Sequence, residues 1–327
     1  MEITFEDSKG PIESNEVDRN AMGGTELMKY DLQERVSPEL LNQFQIIPSR
    51  VREIDEEKNT ILWLHDLPND PESQHLADGG WEKFDKLVFV SNWQLQAYNS
   101  VLGVPYSKSV VLRNAISPIP EHVKPDNEIR IIYHTTPHRG LEILVPVFVE
   151  LAKLYDDIVL DVYSSFNAYG WPERDKPYEQ VFDLCREHPQ INYHGFQPNE
   201  VIREALQKAH IFAYPSIWPE TSCIALIEAM SAGCMCIHPN YAALPETSSL
   251  WNFMYQWDER IQQHANVFGQ SLQQVIEIAK DQKQKDQMRR RLDMQRNYIN
   301  AFYDWDIRAR EWVSVLNSVL VEKSREQ

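Results

Sequence analysis

The chain has 327 residues, 43% hydrophobic and 11% aromatic, enough for two domains with cores of their own. Its formal net charge of −17 argues against the basic field that nucleic acid or an anionic lipid surface selects. No stretch approaches the roughly 20 apolar residues of a spanning helix, and Met1-Glu-Ile-Thr-Phe-Glu-Asp7 lacks the basic and apolar regions of a signal peptide, so a cytoplasmic protein is expected.

The first half reads as alternating strands and helices. Residues 2–6 predict a short strand, and residues 7–22, polar and aperiodic, an exposed loop. Gly23 and Gly24 lead into a helix reaching Arg35, with Leu27, Met28, Tyr30, Leu32 and Val36 as its packing positions. Two glycines before a helix let a ligand approach the backbone, and a tight turn with a Thr25 cap is the alternative. A strand at 44–47 follows. Residues 59–66 predict a buried strand delivering His65 and Asp66 to its C-terminal end, the edge where open α/β sheets bind ligands. Residues 67–80 predict a polar loop, 86–90 a strand, Ser91 a helix N-cap, 109–114 a strand, and Pro118 to Asp126 a linker.

The second half alternates more cleanly. Strands are predicted at 129–134, 158–163, 191–195 and 210–214. Helices are predicted from 141 to about 155, at 177–187, and from Pro198 to about 208. This pattern predicts a parallel sheet with helices on both faces. Residues 268–296 read as helical, with Lys283, Lys285 and Arg289-Arg-Arg291 as a solvated face, or as a contact for an acidic acceptor or lipid. Near the C-terminus, Trp305, Ile307, Trp312, Val315, Leu316 and Leu320 suit an amphipathic helix. Cys185, Cys223, Cys234 and Cys236 form no Cys-x-x-Cys pair and read as reduced, buried thiols, with no metal site.

One stretch concentrates the chemistry. An apolar strand at 211–213 enters a Pro-bounded loop carrying Glu220. A helix then starts near Thr221 or Ser222, carries Glu228 and ends at Gly233, and a second apolar strand follows at once. Two carboxylates thus stand at one mouth. The helix N-terminus suits a diphosphate, and the carboxylates suit sugar and ribose hydroxyls. A helix cap and a surface charge are the alternative reading.

Glu220, seven intervening residues, Glu228 and Ala229-Met-Ser-Ala-Gly233 together resemble the Glu-x7-Glu signature of the family 4 retaining glycosyltransferases. Tyr214-Pro-Ser216, His138-Arg-Gly-Leu141, Gly23-Gly-Thr25, Trp63-Leu-His-Asp66 and Tyr303-Asp-Trp305 are similar to that family's other elements, in its order and over nearly the whole chain. The resemblance implies the GT-B fold: two Rossmann-like domains facing across a cleft, at 1–120 (acceptor side) and 126–298 (nucleotide-sugar side). A C-terminal helix at 299–327 returns to the first.

It also implies residue roles. Arg139 neutralises the donor diphosphate with the amides of Gly23 and Gly24. Glu220 holds the transferred sugar, Glu228 the ribose, and His65 lies near sugar and acceptor. Thr135, Thr221, Ser222 and Cys223 belong to the donor site, and Tyr193 lines the nucleobase pocket. The sequence departs from the family pattern at His134-Thr135, which replaces a Gly-Arg pair and removes one cation. Thr221 and Ser222 replace glycines. The first domain is short, so part of the acceptor site is reduced or built from 7–22.

The implied function is retaining transfer of a sugar from a nucleoside-diphosphate sugar to an unidentified glycan, lipid or protein. No convincing Asp-x-Asp sits at a strand end, so the transfer is read as metal-independent and without a cofactor beyond the donor. Peripheral membrane contact is compatible with this reading. The alternatives are a phosphorylase or epimerase on the same fold, a non-catalytic nucleotide-sugar-binding scaffold, and a DNA-modifying glycosyltransferase, which the net charge disfavours.

Overall fold

A computed structural model describes residues 23–326. The expected strand at 2–6 and loop at 7–22 lie outside the described residues. The chain divides into two units. Gly24–Ala115 and the last helix make the first, and Ile116–Asp304 the second.

The first unit holds a parallel sheet in the order β1-β2-β3-β4, formed by β1 (Phe44–Pro48), β2 (Asn59–Leu64), β3 (Lys86–Phe89) and β4 (Ser109–Val111). In β2, Ile61, Leu62, Trp63 and Leu64 are all buried, as a strand covered on both faces requires. Helix α1 (Gly24–Arg35) buries Met28 and Leu32, and α2 (Pro38–Leu41) buries Leu41. Tyr30, expected on the packing face of α1, is exposed. The expected loop at 67–80 is instead a pair of 3₁₀ turns over Pro71–Lys83, kinked at Ala77 to Gly79. Helix α3 (Asn92–Leu102) starts where Ser91 predicts: its Oγ accepts the Gln94 amide at 3.0 Å.

The last helix, α11 (Trp305–Glu326), belongs to this unit. Trp305, Trp312, Leu316 and Val319 are its buried stripe, with Val319 in the place expected for Leu320. Trp312 meets Trp63 edge-on at 4.8 Å, and the Arg35 guanidinium lies 5.4 Å from the Trp305 ring. Lys323 pairs with Asp85 at 3.0 Å and Lys86 with Glu322 at 3.3 Å.

The second unit is a six-stranded parallel sheet of order β10-β9-β8-β5-β6-β7. Its strands are β5 (Ile129–Tyr133), β6 (Ile158–Val162), β7 (Ile191–Tyr193), β8 (Ile211–Ala213), β9 (Met235–Pro239) and β10 (Phe253–Tyr255). The helices are α4 (Leu141–Ala152), α5 (Glu179–Glu187), α6 (Asn199–Lys208), α7 (Ile224–Ser231), α8 (Leu244–Ser248), α9 (Ile261–Lys280) and α10 (Lys285–Phe302). The chain runs outward from β5 through β6 to β7, then returns to β8 and runs outward the other way. The strand order therefore reverses between β5 and β8, and such a point is where doubly wound sheets hold ligands.

Three elements differ from expectation. Helix α7 begins at Ile224 behind Cys223, so neither Thr221 nor Ser222 is its cap. The expected helix at 268–296 is two helices, α9 and α10, interrupted after Lys280. Strand β10 is three residues long, too short for its alternation to stand out from the sequence. The end of α7 follows expectation: Gly233 has φ +65°, its N–H reaches the Met230 carbonyl at 3.0 Å, and the Cys234 N–H reaches Ala229 at 3.0 Å. That is a Schellman cap. All four cysteines are free and buried.

Candidate functional site

The loops after β5 and β8 meet at the switch point. After β5 the chain makes a 3₁₀ turn over Pro137–Arg139, and Gly140 enters α4 with φ +130°. A Cβ on Gly140 would lie 2.3 Å from the Pro215 carbonyl oxygen, so the two loops pack backbone to backbone. The Ile217 N–H donates to the Arg139 carbonyl at 3.3 Å, fixing the same contact.

This packing brings Arg139 and Glu220 together. The Arg139 Nη1 donates to Glu220 Oε1, and the buried Tyr214 hydroxyl donates to the same oxygen. Arg139 Nε donates to Thr136 Oγ1 at 3.2 Å, and Nη2 to the Tyr169 hydroxyl at 3.4 Å. The Tyr133 hydroxyl donates to the Thr136 carbonyl at 2.9 Å and steadies the turn. Glu220 is 4% exposed. Burial pulls the Arg139 pKa down, but the negative field of Glu220 outweighs it and holds the guanidinium charged, well above its usual range. Burial, then the charge of Glu220, pushes the Tyr214 phenol well up, so it stays a donor.

Aromatic side chains surround the pair. The Trp218 ring, 40% exposed, lies 5.9 Å from the Arg139 guanidinium carbon. His138 stacks on Phe166 at 5.1 Å and meets Trp218 edge-on at 4.9 Å. Burial, then the charges of Arg139 and Arg174, lowers the His138 pKa to about 3, so it adds no positive charge near neutral pH. His134, next to the Thr135 that stands in place of the family's arginine, is lowered by burial to about 4 and is also neutral. Arg139 is thus the cation held against Glu220.

Glu228 has a separate setting. Its Oε1 accepts from Arg203 at 2.9 Å and from Asn199 at 3.2 Å, both on α6. Arg203 also donates to the Ser117 carbonyl at 2.7 Å. Cys223 stands at the start of α7, and burial, with Glu220 beside it, pushes its thiol upward against the pull of the Leu226 and Ala225 backbone. Ser222 is buried, while Thr135 and Thr221 are half-buried. The Tyr193 hydroxyl donates to the Ser164 carbonyl at 3.0 Å and its ring stacks on Phe182, while Tyr163 and His194 stack in parallel at 4.2 Å.

Gly24 and His65 belong to the first unit. Gly24 opens α1, with Gly23 just before it. His65 follows β2, its N–H donating to Ser49 Oγ at 3.0 Å and its ring tilted against Trp63 at 4.8 Å. Burial lowers its pKa to about 3. Gln94 fixes this strand end. Its Nε2 donates to the carbonyls of Leu64 (3.2 Å) and Asp66 (2.9 Å), and its Oε1 accepts from Val90 N–H at 2.9 Å.

Thr136, Tyr169, Tyr214, Arg203 and Gln94 carry these contacts, and sequence reasoning named none of them for a role. The one available signal was Tyr214, a polar ring at a strand end six residues before Glu220.

Residues 113–256 match the family model described as Glycosyl transferases group 1. This segment is similar to the group 1 glycosyl transferases. It contains β5 through β10, with Arg139, Arg203, Glu220 and Glu228. Two curated relatives are corresponding subunits of phosphatidylinositol N-acetylglucosaminyltransferase, one from Arabidopsis thaliana and one from Homo sapiens. Each is 25% identical to this chain, over 174 and 181 residues respectively. The matches take in 50% of this chain but only 36% and 35% of those relatives.

Among solved structures, a glycosyltransferase from Rickettsia africae aligns over 94% of this chain and 84% of its own, with a TM-score of 0.66 at 15% identity. Anabaena HepE in complex with UDP-glucose aligns over 80% of this chain and 72% of its own, with a TM-score of 0.62 at 14% identity. The fold of this chain is GT-B, with two Rossmann-like parallel sheets. Among the described residues no helix is long and apolar enough to cross a membrane.

Proposed function

We propose that this chain transfers a sugar from a nucleoside-diphosphate sugar to an acceptor hydroxyl, with retention of configuration and without a metal. The observation that carries this reading is the meeting of Arg139 and Glu220 where the strand order reverses in the segment similar to the group 1 glycosyl transferases. Arg139 offers a fixed, always-charged fork to a diphosphate. Glu220 offers a carboxylate to sugar hydroxyls. Charge develops on the departing diphosphate, and Arg139 with the start of α7 stabilises it.

The bond from the anomeric carbon to the diphosphate oxygen breaks, and the acceptor oxygen bonds on the same face. The acceptor proton passes to the leaving phosphate. Glu228 as ribose ligand, Thr135, Thr221, Ser222, Cys223 and Tyr193 as donor-site residues, and Gly23, Gly24 and His65 in their implied roles belong to the same reading.

The relatives' names point to N-acetylglucosamine and an inositol phospholipid, and the HepE structure holds UDP-glucose, so UDP-N-acetylglucosamine is the first donor to test, with an inositol phospholipid among the acceptors. The product is measured by mass spectrometry and its anomeric configuration by NMR. Arg139→Ala is expected to lower turnover about 10²–10³-fold. Wild-type turnover in that variant refutes the diphosphate role. A second reading, a nucleotide-sugar-binding scaffold, draws on the neutral His134 beside Thr135, which leaves a diphosphate one cation short. Calorimetric donor binding without transfer to any acceptor favours that reading.

A further inference from the structure

We propose that the resting donor site is closed on itself: Glu220 occupies the guanidinium that a nucleoside diphosphate must take, and Tyr214 is the positioning residue that keeps hold of Glu220 when it does. The proposal rests on the nucleotide-sugar reading above.

The hydrogen bonds support such an exchange. All three nitrogens of Arg139 already donate, to Glu220, Thr136 and Tyr169. The ion pair presents no net charge, so an incoming diphosphate meets attraction from Arg139 offset by repulsion from Glu220. To bind, it must displace the carboxylate from Arg139.

A carboxylate that is 4% exposed cannot be left bare, because an uncompensated buried charge is strongly destabilising. Tyr214 meets that need. It is fully buried, it donates to the same Oε1, and Phe212 at 5.5 Å and Tyr133 at 6.2 Å hem its ring in. Its hydroxyl therefore stays on Glu220 when Arg139 turns away. Tyr169 differs: it is half-buried in a 3₁₀ turn over Phe166–Tyr169, and its bond to Nη2 is long. Nη2 is the arm an arriving phosphate oxygen can claim first.

The exchange has a consequence for turnover. A nucleotide sugar compensates both groups: its diphosphate takes Arg139 and its sugar hydroxyls donate to Glu220. The nucleoside diphosphate left after transfer compensates only Arg139. Glu220 then competes for the arginine again and favours product release. The site thereby discriminates substrate from product with a single ion pair.

The test is calorimetry with UDP and with UDP-N-acetylglucosamine on the full chain, using Glu220→Gln and Tyr214→Phe. Glutamine keeps the shape and the acceptor oxygen but removes the competing charge. Glu220→Gln is expected to bind UDP at least about tenfold more tightly than wild type, as loss of one close negative charge allows, while losing its preference for the sugar nucleotide. Tyr214→Phe, which leaves Arg139 as the main partner of Glu220, is expected to bind UDP more weakly. The double variant is expected to return to the affinity of Glu220→Gln, because a neutral side chain no longer needs the hydroxyl.

UDP affinity unchanged or weakened in Glu220→Gln overturns the proposal. If that variant does not fold, Tyr214→Phe decides alone, and unchanged UDP affinity in it has the same force. Wild-type protein that binds neither ligand overturns the nucleotide reading as well, which sets that failure apart from a failure of the exchange.

Discussion

Gly140 is the position where backbone geometry and the candidate site meet most directly, and replacing it by alanine tests that link. Two costs add. Its φ of +130° lies where side chains are rarely tolerated, a strain of about 1–3 kcal/mol. The new Cβ would also sit 2.3 Å from the Pro215 oxygen and 2.9 Å from its carbonyl carbon, main-chain atoms that move only if the loop after β8 moves. Overpacking of that kind costs about 1–3 kcal/mol. Together they predict about 2–6 kcal/mol, and in a unit of this size a Tm lower by roughly 4–24 °C.

Gly195→Ala is the matched control in the same unit. Its φ is +63° and nothing lies within 4 Å of the added Cβ, so it carries the conformational cost alone, about 1–2 kcal/mol. Thermal unfolding by circular dichroism compares them, and UDP calorimetry reports whether Arg139, one residue before Gly140, has moved. If Gly140→Ala melts no lower than Gly195→Ala, the backbone-to-backbone contact does not hold the two loops together.

Two further outcomes follow from the packing and the buried histidines. Burial lowers the pKa of His134 and His238 to about 4 and of His65 to about 3, from an ordinary 6.5. These groups bind fewer protons folded than unfolded, so their stabilisation is complete above pH 6.5 and is lost as pH falls from there toward 4 and 3. His238, fully buried, contributes about 2 kcal/mol of that loss between pH 6.5 and about pH 5. A Tm that is flat over this interval, or as steep in His238→Gln as in wild type, contradicts the assignment. Trp312→Ala, removing a fully buried ring packed on Trp63, is expected to cost the first unit about 3–5 kcal/mol and to expose α11 to limited proteolysis. Wild-type protease resistance counts against α11 as part of that unit's core.

What the sequence carried was whatever local chemistry spells out. Buried strands such as β2 and β5 carry apolar runs at residues 61–64 and 131–133, and Ser91 and Gly233 are residues that helix ends select, so their places were legible. Arg139, Glu220 and Glu228 were legible as a spaced set through their resemblance to the family's signature elements. Short or irregular pieces were not. Strand β10 has too few residues to show a period, the turns over Pro71–Lys83 are broken by the kink at Ala77 to Gly79, and Thr221 and Ser222 look like caps although both lie in the loop before the helix start.

Pairing was decided only by tertiary structure. Arg139 and Glu220 are 81 residues apart, and they meet because β5 and β8 are neighbours at the reversal of strand order and because Gly140 lets two loops touch. Glu228 is drawn instead to Arg203, since α6 packs beside α7. No spacing in the sequence encodes which cation a carboxylate will find. Strand order sets that, because it determines which loops share a sheet edge.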